Sequence, residues 1–286
     1  MWFAAMGKGS LVLRGVTVLA CVAIAGATTG LTSATAVADP GCPDVHWIGA
    51  AGSGEREGDV TADDGMGRVI YQSYRDVQSL VQRDGQTITA EAVEYPATAV
   101  PADGDLGGWL GWVGSVDAGT SALEGQYAAF TERCPNSKVV LAGYSQGAMA
   151  VHRNLHDLAE SPNLAAVLLI ADGDRIPDDT TINLGSAGLT PGLGKGVAQE
   201  WPILAHATRD KLPPLLGGRT ISVCDYRDPV CDSIPDVPTT PAGVAVHTSY
   251  GRTHDGGQAW GAMLYNLIEL SPSATQLDVA AGDSQE

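Results

Sequence analysis

Residues 138–147 constrain the fold of this chain more than any other stretch. An apolar run, Lys138-Val139-Val140-Leu141-Ala142, passes without a break into Gly143-Tyr144-Ser145-Gln146-Gly147, and a helical pattern over Ala148–Leu158 follows at once. A buried strand that turns directly into a helix forces the residue at the junction into a sharp, strained conformation. Its side chain is then exposed at the edge of a sheet. In a G-x-S-x-G motif the two glycines let the neighbouring backbone pass close by, and the serine hydroxyl is presented as a nucleophile. The flanking strand and helix distinguish this arrangement from a Gly-Ser turn without chemical role. Ser145 is therefore the candidate nucleophile.

The remaining pattern repeats the same alternation. Asp44–Ala50 is a short apolar strand ending at the turn Gly52-Ser53-Gly54. Arg68–Arg83 places Val69, Ile70, Tyr74, Val77, Leu80 and Val81 at offsets of three and four, which predicts an amphipathic helix. Thr87–Tyr95 alternates as a strand up to Pro96, and Ala118–Arg133 reads as a second helix. Ala165–Ala171 and Thr220–Cys224 are further strands, Gln258–Leu270 is a last helix, and Ser271–Glu286 is a polar, frayed end. Strands alternating with helices imply right-handed βαβ units and a central parallel sheet flanked by helices, the α/β class. Asp172–Gly218 breaks the rhythm. It is rich in Gly and Pro, carries a short helical pattern around Val197–Ala207, and holds Leu189, Leu193, Trp201, Ile203, Leu204 and Leu212. So long a connection is either a lid or a packed surface excursion. There is no internal repeat, heptad or second domain.

The amino end reads as a processing segment. Lys8 and Arg14 precede an uncharged stretch, Gly15–Ala38, that closes on Ala36-Val37-Ala38, a small-x-small cleavage site. Thr28, Thr29, Gly30, Thr32 and Ser33 dilute the run too far for a membrane anchor. Lipid attachment at Cys21 would leave too short an apolar region for export. Residues 1–38 are thus expected to be a signal peptide, leaving 39–286 as one domain of 248 residues that is secreted to the exterior or the cell envelope. That product has 14 basic against 33 acidic residues, a formal charge of −19. Such a surface repels phosphates and anionic lipid, so neither nucleic acid nor stable membrane insertion is expected. Four cysteines then remain, an even count that reads as two disulfides in an exported chain. Cys224 and Cys231 enclose a short loop and pair by proximity, which leaves Cys42 with Cys134. No CxxC spacing supports zinc instead.

A serine needs a base and an orienting acid to be nucleophilic near neutral pH, in the chain order Ser, acid, His for this kind of sheet. Asp228 lies between Cys224 and Cys231 just past a strand, where the disulfide would restrain it, with Asp225 and Asp232 as rivals. By loop-closure entropy that small ring is worth roughly 2.5 kcal/mol and the Cys42–Cys134 ring about 4.6 kcal/mol. His46 lies within the first strand and reads as a packed core or surface residue. His152 and His156, one helical turn apart, read as a solvated helical face rather than a metal site, and His206 falls in the insert. His247 and His254 both follow Asp228 and precede the last helix, so either satisfies the order.

Four blocks act together. Cys134-Pro135 precedes Gly143-Tyr144-Ser145-Gln146-Gly147; Cys224, Asp228, Val230 and Cys231 match C-x-x-x-D-x-V-C; Tyr250 stands three residues after His247; and Cys42-Pro43-Asp44 leads to Ala50-Ala51-Gly52-Ser53-Gly54-Glu55. From about Cys42 to Leu270 the chain resembles the cutinases, and more closely the cutinase-like esterases of mycobacteria and related actinobacteria. The resemblance implies an α/β-hydrolase fold and selects Ser145, Asp228 and His247 as the triad. It also implies that Ser53 and the backbone N–H of Gln146 form the oxyanion hole. Two features depart from the family pattern: Ala51 stands in place of an arginine, and the 83-residue span from Ser145 to Asp228 exceeds that of compact cutinases, the excess falling in the insert.

The implied activity is hydrolysis of carboxylic esters, from cutin-like polyesters to lipids and esters of short or medium acyl length. It needs no cofactor or metal, and a monomer is expected. The competing expectations are an exported cell-envelope binding protein of weak activity, a hydrolase restricted to mycolyl or other envelope esters, and a metal-dependent hydrolase using His152 and His156.

Overall fold

The computed structural model of the chain describes residues 41–102, 106–201, 204, 210–235, 237–251 and 260–272. The expected signal peptide, the expected frayed end beyond residue 272, and Cys21, His206 and His254 lie outside the described residues. Six strands, β1 (Val45–Ala50), β2 (Ile88–Ala92), β3 (Lys138–Tyr144), β4 (Leu164–Ile170), β5 (Ile182–Leu184) and β6 (Thr220–Val223), form one sheet in the order β2-β1-β3-β4-β6-β5. Every pairing is parallel. β3 and β4 are buried along nearly their whole length, as expected of strands covered on both faces.

Side chains alternate between two cores. Val45 and Trp47 of β1, Val140 and Ala142 of β3, and Leu168 of β4 face α1 (Arg68–Arg83) and the last helix, α7 (Gly261–Leu270). Ile48, Val139, Leu141, Val167 and Leu169 point the other way, against α2 (Leu106–Arg133) and α3 (Gln146–His152). α1 has the residue bounds that its apolar spacing predicts. α2 is a dozen residues longer than expected, because Gly107, Gly108, Gly111 and Gly114 weaken the helical signal of its first half. Packing of Trp112 and Val116 against Met149 outweighs that propensity. α3 is shorter than expected: the Asn154 side chain donates to the Ala150 and Thr120 carbonyls, and the chain continues past His152 as turns.

The insert is part of the sheet. Its β5 adds an edge strand in register with β6, a strand too short to show in the sequence pattern, and short helices α4 (Gly185–Gly188) and α5 (Pro214–Gly217) flank it. α6 (Pro241–His247) follows β6 and the disulfide loop. The strand order reverses between β1 and β3, and clefts open at the carboxyl ends of strands flanking such a switch point. Ser53 follows β1 and Ser145 follows β3, so the topology brings both to one crevice.

Candidate active site

Ser145 caps α3 with φ 54° and ψ −117°, a conformation that costs a side-chain-bearing residue of order 1–3 kcal/mol. The strain is held by close backbone packing. A Cβ on Gly143 would collide with the backbone of Gly147, and one on Gly147 with the carbonyls of Ala50 and Ala51. β1, β3 and α3 therefore interlock at the elbow, and only glycine fits at either position. The Ser145 N–H is tied to the Ile170 carbonyl at 2.9 Å.

Asp228 and His247 complete the arrangement. His247 Nε2 lies 3.0 Å from Ser145 Oγ, and its Nδ1 lies 2.9 Å from both oxygens of Asp228. A carboxylate only accepts, so Nδ1 carries the ring proton and Nε2 faces the serine as an acceptor. Asp228 is fully buried, and its Oδ1 also accepts from Val230 N at 2.7 Å. The Cys224–Cys231 disulfide closes the loop that carries it, and Cys42 is bonded to Cys134. Thr240 caps α6 by accepting from Gly243 N, which fixes the start of the helix that ends at His247. Two tyrosines that sequence reasoning read only as letters of a pattern hold the imidazole. Tyr144 stacks on His247 with centroids 5.2 Å apart and donates to its carbonyl at 2.7 Å. Tyr250 packs edge-on against the same ring, and its hydroxyl accepts from Asp225 N. Burial raises the pKa of both phenols, so both stay protonated.

The rival acids are engaged elsewhere. Asp225 accepts from the N–H and hydroxyl of Ser186, and Asp232 accepts from Gly194 N and Arg227 N. His46 is packed as expected, stacked on Phe130 and bonded to Thr89 and Glu91. His152 corrects the expectation of a solvated face. It is buried, with Nδ1 2.6 Å from Asp172, because α3 ends there and drives it into the core, while His156 lies beyond the helix against the Asp210 carbonyl. Burial by itself disfavours the imidazolium, but the charges of Asp172, Asp174 and Asp179 and the Asp172 hydrogen bond outweigh it. They bring the pKa up to about 9.

On the other side of the crevice, Ser53 sits in the turn after β1. Glu55 shapes that turn by accepting from Gly52 N at 2.7 Å, and Trp112 Nε1 donates to Ser53 Oγ at 2.9 Å. Burial raises the pKa of Glu55, partly offset by the Gly52 hydrogen bond and by Arg68. The Gln146 side chain is turned into the protein, accepting from Ser115 Oγ and donating to the Thr98 carbonyl, which leaves its backbone N–H at the start of α3. Ala51, in place of the arginine of the family pattern, is buried, and its carbonyl accepts the Tyr95 hydroxyl.

The described part of the insert is a packed excursion. Buried Arg175 binds Ser222, Asn183 and the carbonyls of Leu193 and Gly194. Val197 N donates to the Val230 carbonyl, and Ser233 N to the Lys195 carbonyl. These contacts, with the Gly194–Asp232 bond, lace the insert to the loop of Asp228. The two segments line a cleft of about 580 Å³ between Val197, Trp201, Pro229, Ile234, Val237 and Thr240.

The family signature described as Cutinase matches residues 41–262. "Phospholipase Culp4" of Mycobacterium tuberculosis is 29% identical over 219 residues, covering 76% of this chain and 80% of that protein. "Cutinase 11" of Verticillium dahliae is 30% identical, covering 80% of this chain and 70% of its own length. Among solved structures, a cutinase-like protein from Cryptococcus sp. superposes with a TM-score of 0.54 at 22% identity, covering 83% of this chain and all of that one, and so shares the fold. With a signature match across most of its length, the chain belongs to the cutinase family of carboxylic ester hydrolases.

Proposed function

We propose that this protein cleaves carboxylic esters by acyl transfer to Ser145. The observation that carries the reading is the unbroken relay from Asp228 through His247 to Ser145, each link within 3.0 Å. Ser145 Oγ attacks the ester carbonyl as His247 Nε2 takes its proton. Asp228 keeps the imidazole in the competent tautomer and balances its positive charge, and the same proton then passes to the leaving alcohol. Water, activated by the same histidine, cleaves the acyl-enzyme. Ser53 and the Gln146 N–H would stabilise the oxyanion of each tetrahedral intermediate, where a single preorganised donor is typically worth about 3 kcal/mol.

Esters of short to medium acyl length, including polyester and lipid esters, are the proposed substrates. The names of the phospholipase and cutinase relatives support that range. Hydrolysis of a p-nitrophenyl series from acetate to palmitate tests the reading. Ser145→Ala should lose at least about a thousandfold in kcat. His247→Ala should be equally inactive while His254→Ala retains most activity, and comparable loss in both would remove His247 from its role. Two disulfides in one small domain support export after cleavage behind Ala38. Mass spectrometry of the exported protein should find Asp39 at its amino end.

A further inference from the structure

Among the groups around the crevice, the indole of Trp112 has a role that the triad chemistry does not use. Trp112 is a buried residue of α2, and its Nε1–H donates to Ser53 Oγ at 2.9 Å. An indole N–H is only a donor, whereas a serine hydroxyl has one proton and two lone pairs. Once a lone pair of Ser53 is taken by the indole, the hydroxyl proton cannot point back along that line and must turn to another acceptor. Among the described residues nothing accepts it, which leaves it for the negative oxygen of a tetrahedral intermediate. We infer that Trp112 is a positioning residue for ester hydrolysis, holding the Ser53 hydroxyl in the orientation that donates to the oxyanion.

The surroundings of the indole favour a fixed geometry. Trp112 packs in a cluster with Val116, Met149, Ala198 and Leu204, and Trp109 meets it edge-on with centroids 5.9 Å apart. Trp201 closes on Trp109 in turn, at 5.6 Å. Ala198, Trp201 and Leu204 all come from the insert, so the excursion beyond the core of the fold buttresses the group that orients Ser53. Donors held in place before reaction stabilise charge without reorganising, which is where such an arrangement gains its effect.

The inference rests on Ser53 acting as an oxyanion donor in the proposed reaction. Trp112→Phe keeps the ring packing and removes the N–H. It should lower kcat for p-nitrophenyl butyrate about tenfold, with KM changed less than about twofold, because the lost interaction matters only in the transition state. In a Ser53→Ala background the same substitution should have no further effect. Equal losses in the two backgrounds, or an unchanged kcat in the single variant, would overturn the orienting role. Should Trp112→Phe fail to fold, NMR of the wild-type fold supplies the test. The indole N–H cross-peak displaced by Ser53→Ala must also be displaced when a phosphonate occupies Ser145, and a peak insensitive to the phosphonate overturns the inference. Full activity of Ser145→Ala would instead remove the proposed reaction itself, so the two failures are distinguishable.

Discussion

Ser145 and Ser53 sit where β3 and β1 leave the centre of the sheet, whereas Asp228 and His247 ride on segments that follow β6, next to the edge. The first pair is held by backbone. β1 and β3 pair in register up to Ala50 and Gly143, and the glycines of the elbow admit no side chain. The second pair is held by cross-links: a disulfide across Asp228, the Asp232 carboxylate between Arg227 N and Gly194 N, and two tyrosines around His247. The strained conformation of Ser145 is tolerated because the surrounding sheet over-determines it. A loop has no such surroundings, and equivalent precision there has to come from bonds added one at a time.

The comparison can be broken at either end. The largest effect is expected from Gly147→Ala, whose Cβ would meet the Ala50 carbonyl. It should cost about 3 kcal/mol or more, or abolish folding, read by chemical denaturation. Converting Cys224 and Cys231 together to serine should remove roughly 2.5 kcal/mol of stability. Because Asp228 is the one member of the proposed triad on that loop, the variant should stay folded and lose kcat rather than KM. A variant with wild-type kcat would mean that the tyrosines and Asp232 suffice. Asp232→Ala would leave two backbone N–H groups without their acceptor and is expected to cost about 2 kcal/mol, with a smaller fall in kcat.

A separate effect concerns His152, away from both pairs. Its folded pKa of about 9 lies above the ordinary 6.5, so its contribution to stability is complete below about pH 6.5 and is lost as pH rises through 9. Melting temperature should therefore decline across that window in the wild-type protein, and the decline should flatten in His152→Asn. An unchanged slope would assign the alkaline loss to other groups.

Much of this protein follows from the sequence alone. The strand–elbow–helix at Ser145, the helix over Arg68–Arg83 and the alternation that dictates a parallel sheet are local patterns, and local patterns are set by steric and hydrophobic periodicity within a few residues. The pairing of the four cysteines followed from their spacing and number, and the disulfides agree with it. What tertiary structure decided is what depends on residues far apart in the chain. The Gly-rich first half of α2 is helical because of the tryptophans and valine it packs, and β5 is a strand because β6 offers it an edge. Asp225 and Asp232 bind the insert, partners that their place in the sequence does not show. His152 is buried on an ion pair because its helix ends there. Each of these is a choice between locally equivalent alternatives, and the choice is made by the partner that long-range folding supplies.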